Sequence, residues 1–270
     1  MKNQPPYFIN LFLIFFFTVG FSLSLMAQDQ SLRILTYNIY HGENPYAPGK
    51  TNLDSIAKLI KELNPDIVAL QEVDSMTGRS ESLYGRKVNL VDELAQKTGM
   101  KGFFAKAMDY SQGGYGEGLL VKNSMQFLRQ PLPIPVGGEP RAAAWTSIEL
   151  GNQTIWMGGT HLCHQFEANR SAQVQSILDF AESKNTPTIW MGDLNFSPQN
   201  NEYQLINDKW QDAAKIADNE SPTYQSSSEE GRIDYVWFSK NHFELVRYEV
   251  IHVPYSDHFP ILVELKLITP

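Results

Sequence analysis

The sequence has a single cysteine, Cys163. One thiol makes no internal disulfide, and no Cys/His spacing of a zinc site accompanies it. Stability must therefore come from core burial, and Cys163 reads as a small buried hydrophobe rather than a nucleophile. An excess of positive charge is also missing: 22 Lys and Arg stand against 30 Asp and Glu, a net charge of -8. The electrostatic footprint of a nonspecific nucleic-acid binder is absent overall. A local basic groove, or a metal ion that brings its own charge, stays compatible with that balance. No internal repeat and no second domain is evident. The glycine-rich run Gly113-Gly-Tyr-Gly-Glu-Gly118 lacks the following helix and the spacing of a nucleotide loop, so it is expected to be a tight turn between strands.

What is present is enough apolar material for one large domain, 42% of 270 residues. Residues 1–27 stand apart: Lys2 is their only charge, Tyr7 to Met26 is nearly all apolar, and Ala27 precedes Gln28-Asp29-Gln30. This reads as a secretory signal peptide cleaved near Ala27, leaving residues 28–270 as the working domain. The rival is an uncleaved anchor, since the apolar run approaches the length that spans a bilayer. No cysteine lies near the junction, which excludes a lipid-modified cysteine there.

Ser31 to Tyr40 suits a first strand, with Asn38 near its end. After Thr51-Asn52, Leu53, Ile56, Ala57, Ile60 and Leu63 share one helical face until Pro65. Asp66 to Leu70 is a buried strand followed by Gln71-Glu72. Asp74 to Arg86 is expected to be a polar loop, Asn89 to Thr98 a helix and Lys101 to Ala107 a strand. Gln126 to Gly138 reads as a Pro-rich connection. Arg141 to Leu150 and Thr154 to Gly158 form a hairpin around Gly151-Asn152. Phe166 to Ser183 is a long helix. Thr186 to Met191 is a buried strand that stops at Gly192 and hands over to Asp193 and Asn195. Arg232 to Phe238, Phe243 to Val253 and Ile261 to Leu267 are further strands.

Polar groups recur where these strands end: Asn38, Glu72, His161, Asp193 with Asn195, and Asp257 with His258. Each alone has an ordinary reading as a turn former or a structural side chain. Asp234 is the odd one, a carboxylate within an aromatic-rich strand that needs a partner, and Arg232 is one available to it. Arg79 and Arg141 are candidate phosphate contacts, since a guanidinium binds phosphate through two donors. A structural arginine is the competing reading for each.

The motifs Thr36-Tyr-Asn-Ile39, Leu70-Gln-Glu-Val73, Thr160-His-Leu162, Gly192-Asp-Leu-Asn195, Ile233-Asp-Tyr235 and Ser256-Asp-His258 come in this order along nearly the whole mature chain. Together they resemble the endonuclease/exonuclease/phosphatase superfamily, the DNase I-like phosphoesterases. The resemblance implies an α/β fold, a four-layer α/β/β/α sandwich of two mixed sheets. It implies a divalent ion, Mg2+ or Mn2+, with Glu72 as first ligand and Asn38 and Asp257 near it. It makes Asp193 the base for an attacking water, fixed by Asn195. His161 and His258 would bond the phosphoryl oxygens, and Asp234 would orient His258 and raise its pKa. The acid-base carboxylate that some repair nucleases carry two residues after the first Asn is absent, since Tyr40 stands there.

The reaction expected is phosphate-ester hydrolysis by activated water, in an exported protein of the periplasm or the extracellular space. The expected substrate is a small-molecule or lipid-headgroup phosphate ester, diester or monoester, and the protein is expected to act as a monomer. A secreted nuclease is the alternative. A non-catalytic binding module on the same fold is the third reading, set against the retention of every site carboxylate.

Overall fold

The computed structural model describes residues 31–225 and 230–268, together with Met1. The expected leader, residues 1–27, lies outside the described residues apart from Met1. In chain order the elements are β1 (Ser31–Asn38), α1 (Leu53–Leu63), β2 (Ile67–Ser75), α2 (Gly78–Tyr84), α3 (Leu90–Thr98), β3 (Lys101–Tyr110), β4 (Gly113–Val121), β5 (Gln126–Pro131), β6 (Ala142–Leu150), β7 (Gln153–His161), α4 (Glu167–Lys184), β8 (Thr188–Asp193), α5 (Asn201–Asn207), β9 (Trp210–Asp212), α6 (Ala213–Ile216), β10 (Tyr224–Gln225), β11 (Glu230–Gly231), β12 (Asp234–Ser239), β13 (Phe243–Val250) and β14 (Ile261–Leu267). Among the described residues no helix is long and apolar enough to cross a membrane.

The long strands form two six-stranded sheets, β13-β14-β1-β2-β4-β3 and β5-β6-β7-β8-β12-β9. Each has one parallel pair at its centre, β1 with β2 and β7 with β8, and is otherwise antiparallel. Alternation along the strands explains the layering. In β1, Leu32 and Ile34 face the second sheet, while Leu35 and Tyr37 face the helices. In β8, Ile189 and Met191 face the first sheet and Trp190 points outward. Ile56, Ile60, Val91 and Leu94 of α1 and α3 cover one outer face. Val174, Ile177, Tyr203 and Ile206 of α4 and α5 cover the other. The result is the expected α/β/β/α sandwich. Each aliphatic side chain buried this way contributes about 1.5–3 kcal/mol.

Local chemistry sets the boundaries. At α1 the Thr51 hydroxyl accepts the Leu53 N–H at 3.1 Å. Asn52 turns away and donates to the Tyr255 carbonyl at 3.0 Å. The helix stops at Asn64, left-handed at φ 48, before Pro65.

Three expectations need correction. Gly113 to Gly118 is not a turn but the body of β4. A Cβ on Gly116 would lie 2.2 Å from the Ala105 carbonyl oxygen, and one on Gly118 would lie 2.7 Å from a Val91 methyl. The glycines let β3 and α3 approach closely, and the actual turn is Ser111-Gln112, both at positive φ. The segment from Asp74 to Arg86 contains α2, which has no apolar stripe to announce it. Thr77 caps it, accepting the Ser80 N–H at 2.9 Å. Finally, Gln126 to Pro131 is the edge strand β5, and its proline stands at the strand's end, where prolines are tolerated in sheets.

Candidate active site

Both parallel pairs end at the same side of the sandwich, and the polar strand ends meet there. Register places three of them in one row across the second sheet: His161 beside Asp193 and Asp193 beside Asp234. From the first sheet come Asn38, paired in register with Gln71, and Glu72. Glu72 owes its position to a β-bulge. Leu70 pairs with Gly118 and Val73 with Gly116, so Gln71 and Glu72 together oppose Glu117. Glu72 takes φ 57 at this bulge, a strained conformation for a non-glycine residue. Gln71 stays buried while Glu72 reaches a cleft of about 750 Å³ that Asp193, Asp257, His161 and His258 also line.

Asp193 is held from several sides. Asn195 donates its N–H to Oδ1 at 3.1 Å, and its own side chain is anchored on the Leu162 carbonyl at 3.1 Å. The Nδ2 of Asn38 donates to Asp193 Oδ2 and to Glu72 Oε1, 3.1 Å each. The Nε2 atoms of His161 and His258 stand 3.4 and 3.6 Å from Asp193 Oδ2. Burial raises the Asp193 carboxyl to about 7, against the lowering by His258. Glu72 goes the other way. Burial opposes its charge, but His41, His161 and Asn38 outweigh that and hold it below the ordinary carboxylate range.

His258 donates from Nδ1 to Asp234 Oδ2 at 2.9 Å, and Thr223 Oγ1 donates to the same oxygen at 2.7 Å. Burial lowers the pKa of His258, yet Asp234 and Asp193 push it up to about 10. Arg232, the other partner open to Asp234 from sequence, pairs instead with Asp212 at 2.9 Å. His161 is the opposite case. Burial and then Arg141 hold it well below the ordinary imidazole range. Arg141 Nη1 meets His161 Nδ1 at 3.2 Å and Nη2 meets His164 Nδ1 at 3.1 Å. A guanidinium only donates, so both rings accept at Nδ1 and carry their proton on Nε2.

Two of the expected contact residues already have protein partners. Asn38 Oδ1 accepts the Tyr40 N–H at 3.1 Å, and its Nδ2 faces the carboxylates. Arg79 lies away from the cleft lining. Its Nε and Nη2 bind the buried Asp74 at 2.8 and 2.7 Å, and it lies over the Tyr110 ring. Arg141 does reach the cleft wall, bonded there to two imidazoles and to Glu139 at 3.1 Å.

Sequence reasoning missed His164, three residues past His161 on the cleft wall. It also missed Glu117, fully buried with neither oxygen bonded among the described residues and pushed well up by that burial. Nothing in their local sequence marks either one, except the short spacing of the two histidines.

The donor set suits a hard divalent cation on one side of the site. Glu72, ionised and reaching the cleft, and Asp257, half-buried beside His258, offer carboxylate oxygens. Asp193, Asp234 and His258 also bring donor atoms within 4.8 Å of one another. In this group Asp234 is bonded to His258 and Thr223, and Asp193 accepts from Asn38 and Asn195.

The same fold is met in known proteins. A solved endonuclease/exonuclease/phosphatase from Beutenbergia cavernae superposes with a TM-score of 0.71 at 21% identity, over 88% of this chain and 72% of that one. The human Nocturnin catalytic domain, solved with a bound sulfate anion, gives 0.68 at 21% identity, over 88% and 94%. A mannosyl-6-phosphatase of Bacteroides thetaiotaomicron gives 0.66 at 16% identity, over 88% and 100%. No curated protein matches the sequence. The family model described as the Endonuclease/Exonuclease/phosphatase family matches residues 35–258. That stretch runs from the first strand to His258 and takes in every strand end that builds the cleft, and the chain belongs to this family.

Proposed function

We propose that the chain is an exported phosphoesterase, dependent on Mg2+ or Mn2+, that hydrolyses a small phosphodiester or phosphomonoester. The observation that carries this reading is Asp193. It is a buried carboxylate between two imidazoles of opposite protonation, tied through Asn38 to the cation-ready Glu72.

Each residue then has a task. Asp193, raised toward neutral pH, accepts the proton of the attacking water, and the Asn195 N–H and Asn38 keep its oxygens aimed. His258, charged through Asp234, offers Nε2–H to a phosphoryl oxygen as negative charge builds there. His161 offers a neutral Nε2–H, its tautomer fixed by Arg141. Glu72 and Asp257 would hold the cation, which when bound neutralises phosphoryl and leaving-group oxygens.

A small ester is favoured over a polynucleotide. Glu72, Glu139, Asp193, Glu230 and Asp257 line the cleft, and Arg141 is the one Lys or Arg among its described lining residues. A polyphosphate backbone would meet mostly like charge there. The mannosyl-6-phosphatase of the same fold supports the small-ester branch. A secreted nuclease is the second reading, favoured by the family's own description. The export part of the proposal is supported by the apolar segment ahead of Ala27.

The test uses the chain from Gln28 with Mg2+ or Mn2+. Substrates are bis-(p-nitrophenyl) phosphate, p-nitrophenyl phosphate, sphingomyelin and plasmid DNA, with Asp193→Ala as control. Metal-dependent turnover of a small ester, lost in the variant, is expected. Rapid plasmid cleavage at moderate salt would put the nuclease first, and a function that survives Asp193→Ala would favour a binding module.

A further inference from the structure

The turn that follows β1 is built unusually. Tyr40, His41 and Gly42 take φ of 46, 45 and 73 in succession. Left-handed residues normally occur singly, and for a residue with a Cβ they cost energy. A run of them persists only where its surroundings hold it. Its effect is to turn the His41 ring into the protein, 6% exposed, against the bulge that carries Glu72.

The two ring nitrogens of His41 are in different situations. Nε2 lies 3.0 Å from Glu43 Oε2. Glu43 is itself anchored, since its Oε1 accepts the Gly49 N–H at 2.7 Å. That contact and His41 keep its carboxyl below the ordinary range. A carboxylate only accepts, so His41 donates to it from Nε2. Nδ1 is buried and has no hydrogen-bond partner among the described residues. Glu72 Oε2 stands 3.9 Å from it, too far for a hydrogen bond. A buried ring nitrogen without a hydrogen-bond partner calls for an explanation. A ring that gives one N–H to a carboxylate and aims its other nitrogen at an acidic site has the wiring of a metal-ligating histidine. Two donors on one cation, each about 2.1 Å from it, lie within about 4.2 Å of each other, and the separation here satisfies that.

The geometry points to His41 Nδ1 as a nitrogen ligand of the cation that Glu72 takes, with Glu43 as its backing carboxylate. The assignment rests on the metal-dependent reading above and adds to it. The site is then of mixed nitrogen and oxygen type, which favours Mn2+ over Mg2+.

Pulsed electron paramagnetic resonance of the Mn2+-loaded chain from Gln28 tests this without turnover. The wild type should show nitrogen-14 modulation from an imidazole bound to Mn2+. His41→Asn should lose it and bind Mn2+ about 10–100-fold more weakly. Asparagine tolerates the left-handed backbone, so the variant is expected to fold. Glu43→Gln should keep the modulation and bind about tenfold more weakly. No Mn2+ binding by the wild type, no nitrogen modulation in it, or modulation that survives His41→Asn would each overturn the assignment. Hydrolysis is measured on the same samples. Turnover without a nitrogen signal leaves the phosphoesterase standing and removes His41. A His41-dependent nitrogen signal without turnover does the reverse.

Discussion

Replacing Asp234 by Asn tests the electrostatics of the site at one atom. The side chain keeps its shape and can still accept from Thr223, but the charge facing His258 Nδ1 disappears. In the native site His258 is raised from 6.5 to about 10, which at about 1.4 kcal/mol for each tenfold change in proton affinity is roughly 5 kcal/mol in favour of the imidazolium. Burial opposes that charge, and Asp234 leads the groups that overcome it. Without Asp234 the His258 pKa should fall to about 8 or below. Nuclear magnetic resonance of the His258 ring in metal-free protein reads this directly. With Mn2+ added, kcat should fall about 10²–10⁴-fold, as expected when a positioned proton donor loses its charge and tautomer. The alkaline limb of the rate profile should move to lower pH. Stability should change in a defined direction as well. Because the folded-state pKa is raised, His258 stabilises the fold fully below about pH 6.5, and that contribution is lost as pH rises through about 10. Urea unfolding of the wild type should weaken across this window, and that of the variant should weaken less. A His258 pKa that stays above about 9 in Asp234→Asn would refute the reasoning, whatever happened to activity.

Three further outcomes are expected. Gly192→Ala puts a Cβ 1.9 Å from the Thr160 carbonyl oxygen at φ 140, so it should cost roughly 3 kcal/mol or more in urea unfolding, and an unchanged midpoint would contradict the geometry. Arg79→Gln leaves the buried Asp74 with a weaker partner, and since Arg79 is partly exposed the cost should be about 1–3 kcal/mol of stability. Its KM should stay near that of the wild type, and a large KM rise would return Arg79 to the substrate. Glu72→Gln should weaken Mn2+ binding at least about tenfold in calorimetry and abolish turnover, and a chelator should do the same reversibly.

The positions legible in sequence were those where a polar residue interrupts an apolar strand. Asn38, Glu72, His161, Asp193 and Asp234 are conspicuous because strands disfavour such residues without a reason. His258 and Asp257 stood out as a charged pair at the start of the last strand. What stayed hidden depends on pairings between distant parts of the chain. Glu117 lies in a run of glycines that reads as a turn until β3 is laid beside it. The bond between Arg141 and His161 joins a strand's entrance to the exit of its neighbour. Arg79 looked available for phosphate because nothing local reveals that Asp74 is buried. The left-handed turn of His41 has no sequence signature beyond the glycine that follows it.

The reacting groups are divided between the layers, and this makes catalysis a gauge of how the layers sit. Asn38 and Glu72 belong to one sheet, His161 and Asp193 to the other, and the 3.1 Å bond from Asn38 to Asp193 spans the seam. Behind that bond the spacing is set by two of the smallest residues, since a Cβ on Gly159 would lie 2.6 Å from that of Ala69. A methyl group added there touches no reacting atom. It would still wedge the sheets apart and lengthen each contact that crosses between them. Turnover would therefore report on a clearance deep in the hydrophobic core, and neither sheet holds all of the proposed site on its own.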